Sequence, residues 1–127
     1  MVYISKVYTK SGDGGQTMLA SGDFTGKDDE RVDAYGQVDE LNATVGLVRC
    51  ELARLPEPSR GHGFLTAIDN YLDRVQQELF DLGAELSEPR AVDGKARLKV
   101  TDADIEALEK AIDTLNEPLP PLTSFIL

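Results

Sequence analysis

The 127-residue sequence predicts an all-α protein, an up-and-down helical bundle preceded by an extended, glycine-rich N-terminal arm. Three observations predict it. Apolar residues recur at spacings of three and four along three separate stretches, the period of a helix with one apolar face. Prolines at positions 56, 58, 118, 120 and 121 punctuate those stretches, where the ring removes an amide donor and blocks helical continuation. Residues 1 to about 30 lack that period and are rich in Gly, Ser, Thr and Asp.

In chain order, Val2, Ile4 and Val7 suggest a brief extended piece before a glycine loop. A first helix is expected after Asp28-Asp29-Glu30, whose carboxylates suit the positive end of its dipole. Its stripe is Val38, Leu41, Val45, Val48 and Leu52, and it stops before Pro56. The second helix carries the strongest pattern: Leu65, Ile68, Leu72, Val75, Leu79, Leu82 and Leu86, broadened by Phe64 and Phe80. From Gly63 to Leu86 it spans about 35 Å at roughly 1.5 Å per residue. Asp69, Asp73, Arg74 and Glu78 read as its solvated face. A linker from Glu88 to Val100, with Pro89, Gly94 and several charges, leads to a third helix. There Thr101-Asp102-Ala103-Asp104 resembles a capping box with Asp in place of Glu, and Ile105, Leu108, Ile112 and Leu115 form the seam. So apolar a second helix wants neighbours on several sides. The expectation is that subunits associate, that further helices belong to the bundle, or both.

Length fits one domain, an arm over residues 1–30 and a bundle over 31–127. Thirteen basic residues against 23 acidic ones give a net charge of −10, which argues against a nucleic-acid backbone or an anionic membrane surface as partner. The single cysteine, Cys50, excludes an internal disulfide framework and suits a reducing compartment, with its side chain expected as a small apolar group on the first helix. With no signal-peptide pattern and no apolar run long enough to cross a bilayer, the sequence reads as cytoplasmic.

The arm carries the chemistry. Thr9-Lys10-Ser11-Gly12-Asp13-Gly14-Gly15-Gln16-Thr17 has three glycines in four positions, so its backbone can turn tightly, visit positive φ and aim consecutive N–H groups into one concavity. Hydroxyls of Thr9, Ser11 and Thr17 and the Lys10 ammonium surround that concavity, the parts that hold a polyphosphate. The pattern is not a P-loop, because no Gly-Lys-Ser/Thr follows the glycines. By itself it reads first as a surface turn between two short extended segments. The second constellation is the stretch from Arg31 to Asn42. Gly36 within a helix costs about 1 kcal/mol against Ala, which predicts a close approach to the backbone there. Asp39 and Asn42 share one helix face, with Tyr35 a turn before Asp39.

In order and separation, Tyr8 to Gly15, Lys27-Asp28-Asp29, Arg31 to Asn42, Gln77-Glu78-Leu79-Phe80-Asp81-Leu82-Gly83-Ala84-Glu85-Leu86, Leu108 to Asp113 and Phe125-Ile126-Leu127 resemble the PduO-type ATP:cob(I)alamin adenosyltransferases. The resemblance implies a ferritin-like helical bundle that assembles as a homotrimer with active sites at subunit interfaces. It implies transfer of the 5′-deoxyadenosyl group of ATP to the cobalt of reduced cobalamin, with Mg²⁺ accompanying ATP, an electron donor reducing the cobalt, and triphosphate released. On this sequence it makes Thr9, Lys10, Ser11 and Gly12 a wrap around the triphosphate, with nucleotide contacts at Thr17 and Met18, a second phosphate-binding lysine at Lys27, and Tyr35 and Asn42 alongside. Met18 can offer only its backbone. Asp39 matches an acidic residue that pairs with an arginine of the neighbouring subunit, and Phe125 an aromatic beneath the corrin ring.

That chemistry explains the residue types. Co(I) attacks C5′ and charge builds on the leaving triphosphate, so cations placed there stabilise the transition state. No side chain need be a nucleophile, because the cofactor carries the hard step. In the family, Co(II) becomes reducible when its lower axial ligand is removed, and an apolar ring such as Phe125 keeps that face dry. The family continues past the position of Leu127 with a Pro-Gly-Gly turn, an arginine-rich helix that contacts triphosphate, and a further helix carrying an asparagine. The 127-residue stretch alone is therefore expected to bind ATP weakly and turn over little. Two other readings use the same residues: a non-catalytic module that holds nucleotide or adenosylcobalamin for a partner, and a plain helical assembly protein whose glycine loop is only a turn.

Overall fold

A computed structural model describes residues 7–55, 63–87 and 99–125. A two-stranded antiparallel sheet, β1 (Gln16–Met18) and β2 (Phe24–Gly26), precedes three helices, α1 (Glu30–Arg54), α2 (Phe64–Ser87) and α3 (Asp102–Asn116). The architecture is mostly helical, with a small hairpin in the N-terminal arm that the sequence did not signal. Gln16 pairs with Gly26, Thr17 with Thr25 and Met18 with Phe24. Gly22, at φ 89°, supplies the left-handed residue of the turn, whose ends are joined by Leu19 N–H donating to Asp23 O at 2.8 Å. Strands of three residues are too short to print a period of two on the sequence. The extended piece expected at Val2 and Ile4, and all but the last two residues of the 88–100 linker, lie outside the described residues.

Helix α1 starts where the acidic run predicts. Asp29 is the N-cap, its Oδ1 accepting from Arg31 N–H at 2.9 Å and its Oδ2 from the Thr25 hydroxyl at 2.9 Å. One carboxylate thus ties the hairpin to the helix. The Arg31 backbone bond first, and the Thr25 hydroxyl next, hold the Asp29 carboxyl below its ordinary value. At α3 the Asp104 carboxylate reaches back to Thr101, accepting from its N–H at 2.9 Å and its hydroxyl at 2.7 Å.

Helices α1 and α2 run antiparallel, with Arg31 against Leu86, Asn42 against Gln76 and Arg49 against Asp69. All seven residues of the α2 seam are half-buried, and Ala111 on α3 is the one fully buried residue among those described. The α1 stripe divides. Val38, Val45 and Leu52 are half-buried, whereas Leu41 and Val48 stay exposed. Ile105, Leu108 and Ile112 of α3 are exposed too.

Two expectations about polar positions change. Asp69, Asp73 and Arg74 are accessible but do not form a purely solvated face: Arg49 bridges to Asp69 and Asp73 from α1, and Arg74 reaches Asp104 of α3. Cys50 is exposed rather than packed.

Candidate functional site

The hairpin exists to return the chain to the glycine loop. Immediately after β2, Lys27 donates its backbone N–H to Gly15 O at 2.9 Å. Its side chain then folds over Gly12, where an added Cβ would lie 3.0 Å from Lys27 Nζ and 3.1 Å from both Lys27 Cε and Gln16 O. Gly12 is needed for that close approach. The left-handed backbone expected at the glycines falls at Gly15 (φ 83°) and at Lys10 (φ 62°), while Gly12 and Gly14 do not take it. A left-handed non-glycine residue is uncommon, and here it sets the direction in which the Lys10 side chain leaves the loop.

Two successive tight turns close the loop, Asp13 N–H donating to Lys10 O and Gly15 N–H to Gly12 O, each at 3.2 Å. The Thr9 and Ser11 hydroxyls are hydrogen-bonded to each other at 2.8 Å, and Ser11 N–H donates to Thr9 Oγ1 at 3.4 Å. Thr17 is half-buried opposite Thr25, and Met18 is exposed opposite Phe24. Thr9 to Gly12 and Lys27 thus form one exposed, cationic and hydroxyl-bearing surface. It suits an anion with several oxygens, because the Lys27 ammonium stands over a loop that also carries the Lys10 ammonium and two hydroxyls.

Beyond Lys27 opens a cleft of about 520 Å³, lined by Lys27, Gly36 and the carboxylates of Asp28, Glu30, Asp33 and Glu40, among others. Gly36 has nothing within 4 Å of an added Cβ, so among the described residues no protein group makes the close approach expected there. It faces the cleft instead. Round α1 from it, Tyr35 and Asp39 share a second cleft of about 310 Å³ with Phe80, Gly83, Ala84 and Ser87. A Cβ on Gly83 would lie 3.9 Å from Asp39 Oδ1.

The candidate residues therefore fall into groups. Thr9, Lys10, Ser11, Gly12 and Lys27 come together, with Thr17 and Met18 on the adjoining strand. Tyr35 and Asp39 come together elsewhere. Asn42, expected on the same face as Asp39, is occupied by Gln76, whose Nε2 donates to Asn42 Oδ1 at 2.9 Å and Asn42 O at 3.0 Å. Phe125 is 97% exposed and lines neither cleft. Sequence reasoning missed Gly46, Arg49 and Gln76, which form the polar centre of the α1–α2 contact. The available signal was Gln76 standing beside Val75 inside an otherwise apolar seam.

A model of the cobalamin adenosyltransferase family matches residues 7–127. The chain belongs to the cobalamin adenosyltransferase family. It is 42% identical over 122 residues to the corrinoid adenosyltransferase of Bacillus subtilis, covering 96% of this chain and 58% of that protein. It is 34% identical over 130 residues to the corrinoid adenosyltransferase of Mycobacterium leprae, covering 99% and 63% respectively. The chain thus spans about three-fifths of the length of these relatives.

Among solved structures, it matches a phenylalanine-to-alanine variant of the PduO-type ATP:corrinoid adenosyltransferase from Lactobacillus reuteri, complexed with cobalamin and ATP. The TM-score is 0.76 at 34% identity, over 96% of this chain and 62% of that one. An arginine-to-lysine variant of the same enzyme, complexed with ATP, matches with a TM-score of 0.71 at 35% identity, over 95% and 62%. The helical adenosyltransferase fold is therefore shared.

Proposed function

We propose that the protein transfers the 5′-deoxyadenosyl group of ATP to the cobalt of reduced cobalamin. The cobalt lone pair forms the Co–C5′ bond as the C5′–O bond breaks, and triphosphate leaves with that electron pair. Cobalt is oxidised by two electrons in the step and leaves in the product, so an electron donor must bring each incoming cobalamin to Co(I) before it can react.

The observation that carries this reading is the position of Lys27 over Gly12, which brings its ammonium to the loop bearing Lys10 and the hydrogen-bonded Thr9 and Ser11 hydroxyls, and we read that loop as a polyphosphate cradle. In this reading the cradle holds the triphosphate, Thr17 and the Met18 backbone contact the nucleotide, and charge building on the leaving group is met by the two ammonium groups. Among the described residues no group of three or more His, Cys, Asp or Glu is arranged to hold a metal ion. Mg²⁺ bound with ATP would supply further neutralisation of the charge on the leaving triphosphate. Gly36 leaves the backbone of α1 open toward the same cleft, which suits a ligand passing close to it.

Asp39, with Tyr35 beside it, is read as the carboxylate that pairs with an arginine of a neighbouring subunit in a homotrimer. The exposed Leu41, Val48, Ile105 and Ile112 support association, since apolar faces of this extent are ordinarily covered. Phe125 is read as the ring beneath the corrin, and its exposure leaves it available for that role. We infer that the enzyme works in the cytoplasm, a reducing compartment that suits its single exposed cysteine.

The test is turnover of reduced cobalamin with ATP, followed by the absorbance change that accompanies Co–C bond formation. Adenosylcobalamin formation that requires ATP supports the reading. ATP binding without product would instead indicate a non-catalytic holding module. Thermal stability unmoved by ATP would indicate an assembly protein, since a site filled at 100 times its dissociation constant adds about 2.7 kcal/mol.

A further inference from the structure

The polar centre of the α1–α2 contact has a geometry that ordinary core packing does not require. Asn42 and Gln76 are half-buried and bond reciprocally across the two helices. Gln76 Nε2 donates to Asn42 O at 3.0 Å and Asn42 Oδ1 at 2.9 Å, and Asn42 Nδ2 donates to Gln76 O at 3.3 Å. Each amide thus grips the other helix's backbone. Gly46 makes room for this, because an added Cβ there would lie 3.3 Å from Gln76 Nε2. The remaining Gln76 acceptor, Oε1, takes a bond from Arg49 Nη1 at 2.9 Å.

Arg49 itself does not define a register. Its long side chain touches Asp69, Asp73 and Gln76 on successive turns of α2, so a slide of one turn exchanges one acceptor for another. Nor does the apolar seam, whose leucines recur every three or four residues. Backbone carbonyls gripped by short side chains are different, since a slide of one turn breaks all three amide bonds at once. Buried polar pairs of this kind select one register among several that apolar packing tolerates.

We propose that Asn42 and Gln76 are positioning residues, a reciprocal amide latch that fixes the register of α2 against α1. The latch sits one turn from Val38 and Asp39, and so sets which part of α2 faces the Asp39 carboxylate. In the observed register that part is Gly83, with Phe80 and Ala84 beside it. What Asp39 does there rests on the adenosyltransferase reading; the latch itself does not.

The test reads register directly, without nucleotide or corrinoid, so it stands or falls separately from that reading. In a Cys50→Ser background, Val38→Cys is combined in separate proteins with Leu79→Cys, Gly83→Cys or Leu86→Cys, and disulfide formation under mild oxidation is timed. An added Cβ at Gly83 would lie 4.0 Å from Val38 Cγ1, whereas Leu86 stands level with Arg31, so the Gly83→Cys pair should close at least about tenfold faster than the Leu86→Cys pair, with the Leu79→Cys pair between them.

Adding Asn42→Leu and Gln76→Leu replaces the latch by apolar side chains and leaves no unpaired amide. The three pairs should then close at rates within about threefold of one another, while helix content and thermal midpoint are held. A merely stabilising pair would lower the midpoint and leave the Gly83 preference intact, and that result would overturn the proposal. Gln76→Met alone, which keeps the length and removes the grip on Asn42, should give an intermediate loss of preference. Unfolding of both variants also overturns it, because the pair would then hold the helices together rather than choose between registers.

Discussion

Lys27 Nζ occupies the space into which a side chain at Gly12 would project, 3.0 Å from where its Cβ would stand. Fifteen residues separate them in sequence, and the β1–β2 hairpin closes that distance. The pairing of Gln16 with Gly26 is what delivers Lys27 to the loop. A short hairpin thereby turns two unremarkable sequence features, a glycine-rich turn and a lone lysine, into a single cationic surface.

Gly12→Ala should displace the Lys27 ammonium and lower affinity for ATP by about tenfold, roughly 1.4 kcal/mol. Lys27→Ala should lose at least as much. Titration calorimetry with ATP checks both, and equal affinity in all three proteins would remove Lys27 from the cradle.

Gly36 and Gly46 both interrupt α1, and they should respond differently to alanine. Gly36→Ala meets nothing within 4 Å, so it should stabilise the protein by up to about 1 kcal/mol while weakening ATP binding. Gly46→Ala presses on Gln76 Nε2 and should gain clearly less. Chemical denaturation of the two variants, side by side, measures the difference.

Acid should weaken the fold through three carboxyls. Asp29 is held below its ordinary value by the Arg31 backbone bond, Asp69 by the bond from Arg49, and Asp104 by the Thr101 hydroxyl and backbone. A carboxyl with a lowered folded value contributes stability that is present above its unfolded value, 3.8, and lost as pH falls through the folded one. Thermal midpoints should therefore be flat from pH 7 to 5 and fall below about pH 4. Asp29→Asn should lower the plateau and make the decline shallower. Arg49, raised further above its already high value by Asp69 and Asp73, stays charged throughout and adds no slope.

Phe125→Ala separates chemistry from folding. At 97% exposure its removal should leave the thermal midpoint within about 1 °C, because exposed substitutions are nearly neutral. Adenosylation should nevertheless fall by about a hundredfold if the ring keeps the lower cobalt face dry, a loss of about 2.7 kcal/mol in the barrier. Steady-state rates with and without the ring decide it.

Much of this was legible in the sequence where the signal is periodic or local. The acidic run at 28–30 announced the start of α1, Thr101 and Asp104 announced that of α3, and the unbroken leucine pattern gave α2 almost to the residue. The hairpin was not legible, because three-residue strands carry no period. Gly36 and Gly46 illustrate the limit for single residues. Gly36 read as a costly helix glycine with a close neighbour and Gly46 drew no notice, yet contacts across to α2 show that Gly46 is the one closely approached by protein. The α1 stripe was read as one face because Val38, Val45 and Leu52 share it with residues on either side. Asn42, read as a ligand contact beside Asp39, and Arg49, left without a role by sequence reasoning, proved to be the groups that meet α2. Charge identity says whether a side chain needs partners; it does not say on which element they stand.

The measurement that tests the central claim most directly is the product balance of a reaction containing ATP, reduced cobalamin and the purified protein. The expected result is adenosylcobalamin and triphosphate in equal, small amounts from this 127-residue stretch, neither forming without ATP or without reductant, and both reduced together by Lys27→Ala. Saturable ATP binding with no adenosylcobalamin, or product formation indifferent to Lys27→Ala, would contradict it.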